Sequence, residues 1–149
     1  MSDTIQILPY QDHHKSDVLR LIELNTPQYF APAEHADLDH YLDNLVDDYF
    51  VIKSDDKIVA CGGINYFPEQ AKAHISWDIV HPLFQRKGIG KQLLQYRINI
   101  IKNKPEISSI IVNTSQLVEA FYAANGFVRI AQEKDFWGVG IDLVRMEFQ

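Results

Sequence analysis

The stretch from Val80 to Leu94 reads Val-His-Pro-Leu-Phe-Gln-Arg-Lys-Gly-Ile-Gly-Lys-Gln-Leu-Leu. An alternating apolar run, His74 to Val80, predicts a strand that enters it, and the apolar spacing at its end predicts a helix. The first amides of a helix have no internal partner and lie at the positive end of the helix dipole. Glycines let a phosphate approach the backbone, and Arg86, Lys87 and Lys91 add positive charge nearby. The stretch therefore predicts a site for a phosphate-bearing ligand.

Composition limits the classes of protein to which the chain could belong. Its 149 residues are enough for one domain with a hydrophobic core, and no repeat or linker divides them. Lysine and arginine total 14 against 20 aspartate and glutamate residues, so the formal net charge is −6. A nucleic-acid-binding protein would usually present a basic face, and we predict no nucleic-acid partner. We expect a single domain spanning residues 1–149.

Cysteine and histidine usage indicates the compartment and argues against a metal. Cys61 is the single cysteine, so no internal disulfide is available and a reducing compartment is expected. The N-terminus lacks an apolar signal core and no apolar run reaches membrane-spanning length, so we predict a cytoplasmic location without membrane association. The pairs His13-His14 and His35 with His40 lack the spacing of a metal-binding face, so no metal is predicted.

Hydrophobic periodicity predicts the element order β-α-α-β-β-β-α-β-α-β-β. The strands are expected at residues 4–8, 49–54, 57–66, 71–80, 107–113, 127–134 and 141–148. The helices are expected at residues 16–24, from about 32–34 to 45, at 89–104 and from the N-cap Ser115 to 125. Gly62-Gly63 within the third strand predicts a bulge or a close backbone approach. This order describes a mixed sheet with helices on both faces, an α/β or α+β domain.

Two short motifs make the interpretation more specific. The hexamer at residues 85–90, Gln-Arg-Lys-Gly-Ile-Gly, fits neither a dinucleotide-binding fingerprint nor a P-loop. It matches the Gln/Arg-x-x-Gly-x-Gly/Ala signature of the GNAT acetyltransferase superfamily. Residues 121–127, Phe-Tyr-Ala-Ala-Asn-Gly-Phe, are similar to the segment that ends the last helix of that superfamily. The two motifs occur in the expected order, and the chain resembles the GNAT fold over essentially its whole length.

The resemblance implies a mostly antiparallel central sheet that splays between its fourth and fifth strands, where acetyl-CoA or another acyl-CoA binds. Backbone at Ile79 and Val80 would pair with the pantetheine arm. Many members have asparagine seven residues before the tyrosine of the second motif; here Ser115 takes that position as a cofactor-binding candidate, with Asn113 two residues earlier. The residues that would hold the pyrophosphate are Gln85, Arg86, Lys87, Gly88, Ile89, Gly90 and Lys91.

The resemblance also implies the chemistry of acetyl transfer. An alkyl amine has a pKa near about 10 and must lose a proton before it attacks a thioester. Backbone amides at the strand end could stabilise the oxyanion that forms. Tyr122 is at the position where many members place the residue that protonates the departing thiolate; packing in the core is the structural alternative.

The general base is left open between two residues of the predicted fourth strand and an ordered water. His74 lies about where some relatives keep a glutamate base, and Asp78 lies nearer the acyl end. Strand alternation predicts His74, Ser76 and Asp78 on one face, with Trp77 and Ile79 on the other.

The acceptor is expected to be a primary amine of a small molecule or a peptide. Tyr29 and Phe30 are candidates for the acceptor pocket, since family members build it from the loop between the first two helices. The first hypothesis is an N-acetyltransferase that works by direct attack in a ternary complex. A non-catalytic acyl-CoA sensor and a general nucleotide-binding module are the alternatives. A homodimer is compatible with the resemblance, because many relatives are dimers.

Overall fold

The computed structural model describes residues 4–149, which form one seven-stranded mixed sheet with helices on both faces. The strands are β1 (Ile5–Pro9), β2 (Asp48–Ser54), β3 (Lys57–Phe67), β4 (Lys72–Val80), β5 (Ser109–Thr114), β6 (Phe127–Gly138) and β7 (Ile141–Phe148). The helices are α1 (Lys15–Leu24), α2 (Glu34–Asn44), α3 (Ile89–Lys102) and α4 (Glu119–Ala123). The predicted fold class and order of elements are confirmed. No helix within this described part of the chain is long and apolar enough to cross a membrane.

The sheet has the order β1-β2-β3-β4-β5-β7-β6, and among its strands within residues 4–149 only the β4–β5 pair is parallel. That pairing joins Lys72–Ile75 of β4 to Ser109–Val112 of β5 and then stops. The second half of β4, residues 76–80, therefore has no partner from β5. The predicted splay between the fourth and fifth strands is confirmed, and it leaves the edge of β4 free.

Two apolar clusters hold the helices to opposite faces of the sheet. Helices α1 and α2 bury one set of side chains against β2, β3 and β4, including Val18, Ile22, Leu38, Val51, Cys61 and Ile79. Helix α3 buries another set on the opposite face, including Ile64, Ile75, Leu93, Leu94, Ile98 and Ile101. Each fully buried aliphatic side chain of this kind stabilises the fold by about 1.5–3 kcal/mol. The sheet is thus fixed from both sides.

A β-bulge in β4 changes which side chains share a face. Ser76 pairs with Gly63 and Ile79 with Cys61, so Trp77 and Asp78 together lie opposite a single residue of β3. Trp77 has a φ of 51°, a left-handed conformation that non-glycine residues seldom adopt. The extra residue moves the following side chain to the other face of the sheet.

The prediction of one shared face for three polar residues of β4 was therefore wrong. Ser76 lies on the α1–α2 face, where its hydroxyl donates to Asn65 Oδ1 at 2.7 Å, an oxygen that also accepts from Tyr41 of α2. Asp78 lies on the α3 face, against Arg97. Simple alternation fails because it cannot anticipate a bulge.

The region between β5 and β6 also departs from the predicted boundaries. Helix α4 spans only Glu119–Ala123, and its N-cap residue is Val118. The Ser115 hydroxyl accepts a hydrogen bond from the Leu117 N–H at 3.2 Å, so it closes a turn ahead of the helix. Strand β6 continues to Gly138, four residues beyond the predicted end at 134.

Candidate active site

A groove of about 620 Å³ lies beside the free half of β4. Strand β4 contributes one wall, the loop into α3 and the start of that helix contribute a second, and α4 contributes a third. Eight of the cofactor-binding candidates from the sequence line it: Ile79, Val80, Gln85, Arg86, Gly88, Gly90, Lys91 and Tyr122. The structure therefore brings the strand end and the glycine loop to one groove.

Three other candidates for cofactor binding lie elsewhere. Ile89 is buried in the core at 5% exposure and does not line the groove. The Lys87 ammonium lies 5.3 Å from the centre of the Phe84 ring, outside the lining of the groove. Ser115 lines a second, smaller cavity rather than the groove.

The loop has the backbone geometry that a phosphate site requires. Gly88 caps α3 with a φ of 79°, and a Cβ built there would meet nothing within 4 Å. The first hydrogen bond of the helix runs from the Gln92 N–H to the Gly88 carbonyl, at 3.0 Å. The N–H groups of the first helical turn therefore have no acceptor within the helix. Glycine is needed at position 88 because other residues are strained at positive φ.

Side-chain amides connect the loop to the end of β4. The Gln85 amide donates to the Val80 carbonyl and to Asn25 Oδ1, both at 3.1 Å. Asn25, at the end of α1, in turn donates to the Val80 and Leu21 carbonyls. The Gln85 side chain thus serves to hold the loop in place.

Positive charge at the loop is not neutralised by neighbouring carboxylates. Arg86, Lys87 and Lys91 are exposed, and none forms an ion pair with a residue that the structure describes. Since the whole chain is acidic, these cations favour an anionic ligand at this end of the groove. The groove fits a long ligand with a phosphate group at the loop and an extended arm along β4.

A second cavity, of about 250 Å³, lies over β4 and β5 and has a different character. Aromatic side chains form much of its wall: Tyr29, Phe30, Trp77 and Trp137. The Phe30 and Trp77 rings are stacked, with centroids 6.3 Å apart. Glu34 and Asp78 add two carboxyl groups, and His74 adds an imidazole. Both substrate-binding candidates from the sequence, Tyr29 and Phe30, lie here.

The groove and the cavity share one wall. Its residues, which line both spaces, are Tyr29, Phe30, Asp78, Val118 and Tyr122. A ligand in the groove and a ligand in the cavity would therefore meet beside Asp78 and Tyr122.

A chain of polar contacts, in which Tyr122 and Arg97 are buried and Asp78 is partly buried, fixes the centre of this wall. The Tyr122 hydroxyl donates to Asp78 Oδ2 at 2.6 Å, and Arg97 Nη1 lies 2.5 Å from Asp78 Oδ1. The Arg97–Asp78 contact is an ion pair rather than an aligned hydrogen bond, because Oδ1 has no hydrogen-bond partner among the described residues. Arg97 is fully buried and donates from Nη1 to the Gly63 carbonyl at 3.0 Å. Asp78 thus lies between Tyr122 and Arg97 and orients the Tyr122 hydroxyl.

Gly62 makes room for this ion pair. A Cβ at position 62 would overlap Asp78 Oδ1 and lie 2.8 Å from Arg97 Nη1. The close approach predicted for Gly62-Gly63 is therefore present, and on this side it accommodates a charged pair. Sequence reasoning did not identify Arg97, although an arginine among Leu93, Leu94 and Ile98 on an apolar helix face was a usable signal.

Burial and neighbouring charges shift the pKa values of the site. Burial and the Asp78 carboxylate raise the pKa of Tyr122 well above its usual value of 10.0. Burial, with Arg145 and Lys72 nearby, lowers the pKa of His74 below 6.5, so its imidazole is neutral at pH 7. Burial raises the pKa of Cys61, which lines the groove, to about 12. That thiol stays protonated and is not a nucleophile.

Glu34 is a residue of the cavity that sequence reasoning missed. It begins α2, is 6% exposed, and accepts the Ala31 N–H through Oε2 at 2.8 Å. Burial raises its pKa to about 7, although the Ala31 hydrogen bond opposes the shift. In the sequence it looks like an ordinary acidic residue in the first turn of a helix, and only the fold turns it toward the cavity.

No group of three or more histidine, cysteine, aspartate or glutamate side chains within residues 4–149 is arranged to hold a metal ion.

Comparison with known proteins identifies the family. A search of curated proteins found no match. Several solved structures have the same fold, among them a GNAT-family acetyltransferase from Desulfovibrio desulfuricans, with a TM-score of 0.81, 19% identity and coverage of 98% of this chain and 99% of that one. The ribosomal-protein-S18-alanine N-acetyltransferase from Escherichia coli has a TM-score of 0.79 and 13% identity, covering 97% and 93% of the two chains.

An aminoglycoside 6'-N-acetyltransferase in complex with coenzyme A has a TM-score of 0.75 and 12% identity, with 95% of each chain covered. At these identities the likeness establishes the fold alone. The family model described as "Acetyltransferase (GNAT) domain" matches residues 24–149, which include the groove, the glycine loop and the Tyr122–Asp78–Arg97 chain. The resemblance found in the two sequence motifs is confirmed: the chain is an acyltransferase that belongs to the GNAT acetyltransferase family.

Proposed function

We propose that this enzyme transfers the acetyl group of acetyl-CoA to a primary amine of a small molecule or a peptide. The observation that carries the proposal is the wall shared by the groove and the cavity, with Asp78 and Tyr122 at its centre. A donor in the groove and an acceptor in the cavity would meet there without a relay. Such juxtaposition is what direct attack of an amine on a thioester requires.

The groove is assigned to the donor. Bound acetyl-CoA supplies the thioester whose carbonyl carbon the amine attacks. The N–H groups at the start of α3, with Arg86 and Lys91, would bind the pyrophosphate. The Val80 carbonyl already accepts two side-chain amides, so we expect the pantetheine arm to pair with β4 on the Ile79 side of that position.

Tyr122 is assigned to the leaving group. Its raised pKa keeps the hydroxyl protonated at neutral pH, as a proton donor must be. The same high pKa makes complete transfer to a thiolate of pKa about 8.5 unfavourable. We therefore expect the single Tyr122 O–H to turn from Asp78 Oδ2 to the departing sulfur and donate a hydrogen bond to it, while the proton that the sulfur finally carries comes from the amine nitrogen.

Asp78 and His74 were the two candidate bases of the sequence. Asp78 already accepts the Tyr122 hydroxyl and faces Arg97, so its proposed role is to position that hydroxyl. His74 lines the cavity as a neutral imidazole and stays a candidate for receiving the proton of the amine.

Transfer without an acyl-enzyme is supported by the state of Cys61. It is the single cysteine, fully buried, and its thiol stays protonated at neutral pH because burial raises its pKa to about 12. The acceptors in the names of two structural neighbours are an alanine of ribosomal protein S18 and an aminoglycoside, and both neighbours are named N-acetyltransferases. We propose that Tyr29 and Phe30 contact an acceptor of that general class.

The test is to incubate the protein with acetyl-CoA and a panel of alkyl amines, aminoglycosides, aryl amines and peptides. We expect free thiol to appear only when an amine is present, with acetylated amine detected by mass spectrometry. Binding of CoA without thiol release across the panel would indicate an acyl-CoA sensor. Tight binding of ATP or NAD with no preference for CoA would indicate a nucleotide-binding module.

A further inference from the structure

We propose that Glu34 is the general base, which receives the ammonium group of the acceptor in the aromatic cavity and removes its proton. This inference rests on the proposed acetyl transfer and adds a catalytic residue to it. Glu34 begins α2, far in sequence from both GNAT-like motifs, and it lies in the same cavity as Asp78 and Tyr122.

The geometry leaves one oxygen of Glu34 free to act. Oε2 accepts the Ala31 N–H at 2.8 Å, which fixes the orientation of the carboxyl group. Oε1 makes no hydrogen bond with any residue that the structure describes. The side chain is 6% exposed and its residue lines the cavity, so the free oxygen is available to a ligand there rather than to bulk water. A carboxylate with one fixed and one free oxygen is well suited to accept a proton.

The rest of the cavity favours a cation. Its aromatic wall includes Phe30, Trp77 and Trp137, and aromatic faces attract ammonium groups. No lysine or arginine lines this cavity within residues 4–149, and the His74 imidazole is neutral at pH 7. An alkyl ammonium could therefore enter without opposing charge.

The other titratable groups of the cavity are less suitable. Asp78 uses Oδ2 to hold the Tyr122 hydroxyl, and its Oδ1 faces Arg97. Tyr122 stays protonated because its pKa is raised. Tyr29 carries a phenol, and the His74 ring packs against Phe67 with centroids 4.8 Å apart. Outside the cavity, Asp37 on the next turn of α2 adds negative charge near Glu34.

The proton balance is simple. One N–H bond of the ammonium breaks and an O–H bond forms at Glu34 Oε1, which leaves a neutral amine. The nitrogen attacks the thioester carbonyl carbon, the C–S bond breaks, and the sulfur takes a second proton from the same nitrogen. Glu34 then returns its proton to solvent, so one proton is released for each acetyl group transferred. A base with a pKa near 7 completes this cycle at neutral pH.

The experiment compares Glu34→Gln with wild type on two acceptors, an alkyl amine and an aromatic amine. The alkyl amine is protonated at neutral pH, whereas the aromatic amine is already neutral and needs no base. For Glu34→Gln we expect kcat/KM to fall by about 10²–10⁴-fold with the alkyl amine and by less than about tenfold with the aromatic amine. Exposed Glu106→Gln is the matched control, and it should behave as wild type.

The pH profile gives a second measurement. For wild type and the alkyl amine, kcat/KM should rise with pH through the pKa of Glu34 and then level off, because the base must be unprotonated. In Glu34→Gln that limb should be replaced by a rise that continues toward the pKa of the amine, about 10. The glutamine carbonyl can still accept the Ala31 N–H, and Glu34→Asp, which keeps the charge, should retain the wild-type limb at a lower rate.

Each other outcome overturns the inference. An equal loss with both amines would mean that Glu34 only supports the structure. Loss of the acidic limb in His74→Gln but not in Glu34→Gln would assign the base to His74. If the wild-type protein acetylates no amine at all, the proposed function and this inference are both overturned. In the other two outcomes the wild-type protein is active, so they contradict only the role of Glu34.

Discussion

The groove and the cavity differ in how the chain builds them. The groove takes its anion-binding end from one continuous stretch, residues 85–91, and uses backbone geometry and exposed cations. The cavity is assembled from the α1–α2 loop, the first residue of α2, the bulged part of β4, β5 and the end of β6. It uses aromatic faces and two carboxyl groups, of which that of Glu34 is buried and that of Asp78 is partly buried. If the groove binds the donor and the cavity binds the acceptor, as proposed, the donor is held largely by a local motif and the acceptor by residues that only the fold brings together.

A substitution behind the shared wall can test whether the groove and the cavity form one site. Arg97→Met would leave Asp78 as an unpaired carboxylate, and breaking a buried ion pair in this way costs about 3–5 kcal/mol. The free energy of unfolding of the protein should fall, and the Tyr122 hydroxyl should lose its fixed orientation. Urea denaturation measures the first effect, and kcat for acetyl transfer measures the second.

A matched exposed pair provides the control for Arg97. Arg129 Nη2 also lies 2.5 Å from a carboxylate, Glu119 Oε1, but the two side chains are 43% and 23% exposed. Arg129→Met should therefore reduce the free energy of unfolding much less than Arg97→Met does. If the two substitutions cost the same, Asp78 is not held by a buried pair and the shared wall is less rigid than proposed.

Tyr122→Phe should separate the chemistry from the binding of the donor. The ring contacts with Phe121 and Phe127 are kept, while the hydrogen bond to Asp78 and the donor for the leaving sulfur are lost. We expect kcat to fall about 10²-fold with little change in the Kd for CoA. Steady-state kinetics and calorimetric titration measure the two quantities, with exposed Tyr96→Phe as the control. Equal losses in kcat and in affinity for CoA would indicate that Tyr122 only packs in the core.

The contrast between the two regions explains what could be predicted from the sequence. The glycine loop, the strand before it and the helix after it are local features, so charge, periodicity and helix-end physics were enough to place them. The two motifs then led to the family and to the splay of β4 from β5. Tyr29 and Phe30 were found only because the resemblance pointed to the loop between the first two helices.

The rest required three-dimensional information. The bulge at Trp77 places Asp78 on the opposite face of the sheet from the one that strand alternation predicts, and alternation alone cannot locate a bulge. Glu34 and Arg97 look like a helix-start acid and a helix cation in the sequence. The roles proposed for them depend on burial, which is produced by elements that are distant along the chain. Residues whose function depends on burial are therefore the ones that sequence reasoning is least able to identify.

Gly88→Val tests the backbone contribution of the groove. The φ of 79° is strained for any residue with a Cβ, at a cost of about 1–2 kcal/mol, and the branched side chain would also project where a phosphate is expected. We expect the Kd for CoA to rise about 10- to 30-fold, measured by calorimetric titration. Gly140→Val is the control, since Gly140 has a φ of 80° and equally open surroundings at the β6–β7 turn. Gly140→Val should lose a similar amount of stability and keep its affinity for CoA. Unchanged affinity for CoA in folded Gly88→Val would contradict the assignment of the loop to the phosphate.

The smallest expected effect concerns single cations of the same loop. Lys91 lines the groove, whereas the Lys87 ammonium lies over the Phe84 ring and outside the lining, although both side chains are exposed. Lys91→Gln should therefore raise the Kd for CoA by about two- to fivefold at low salt, the scale of one exposed charge interaction. Lys87→Gln should raise the Kd for CoA less than Lys91→Gln does. The difference in Kd between the two variants should become smaller at high salt, because exposed charges are screened. Titrations of both variants at two salt concentrations measure this. Equal, salt-dependent losses would mean that the loop attracts its ligand through its total charge rather than through Lys91 in particular.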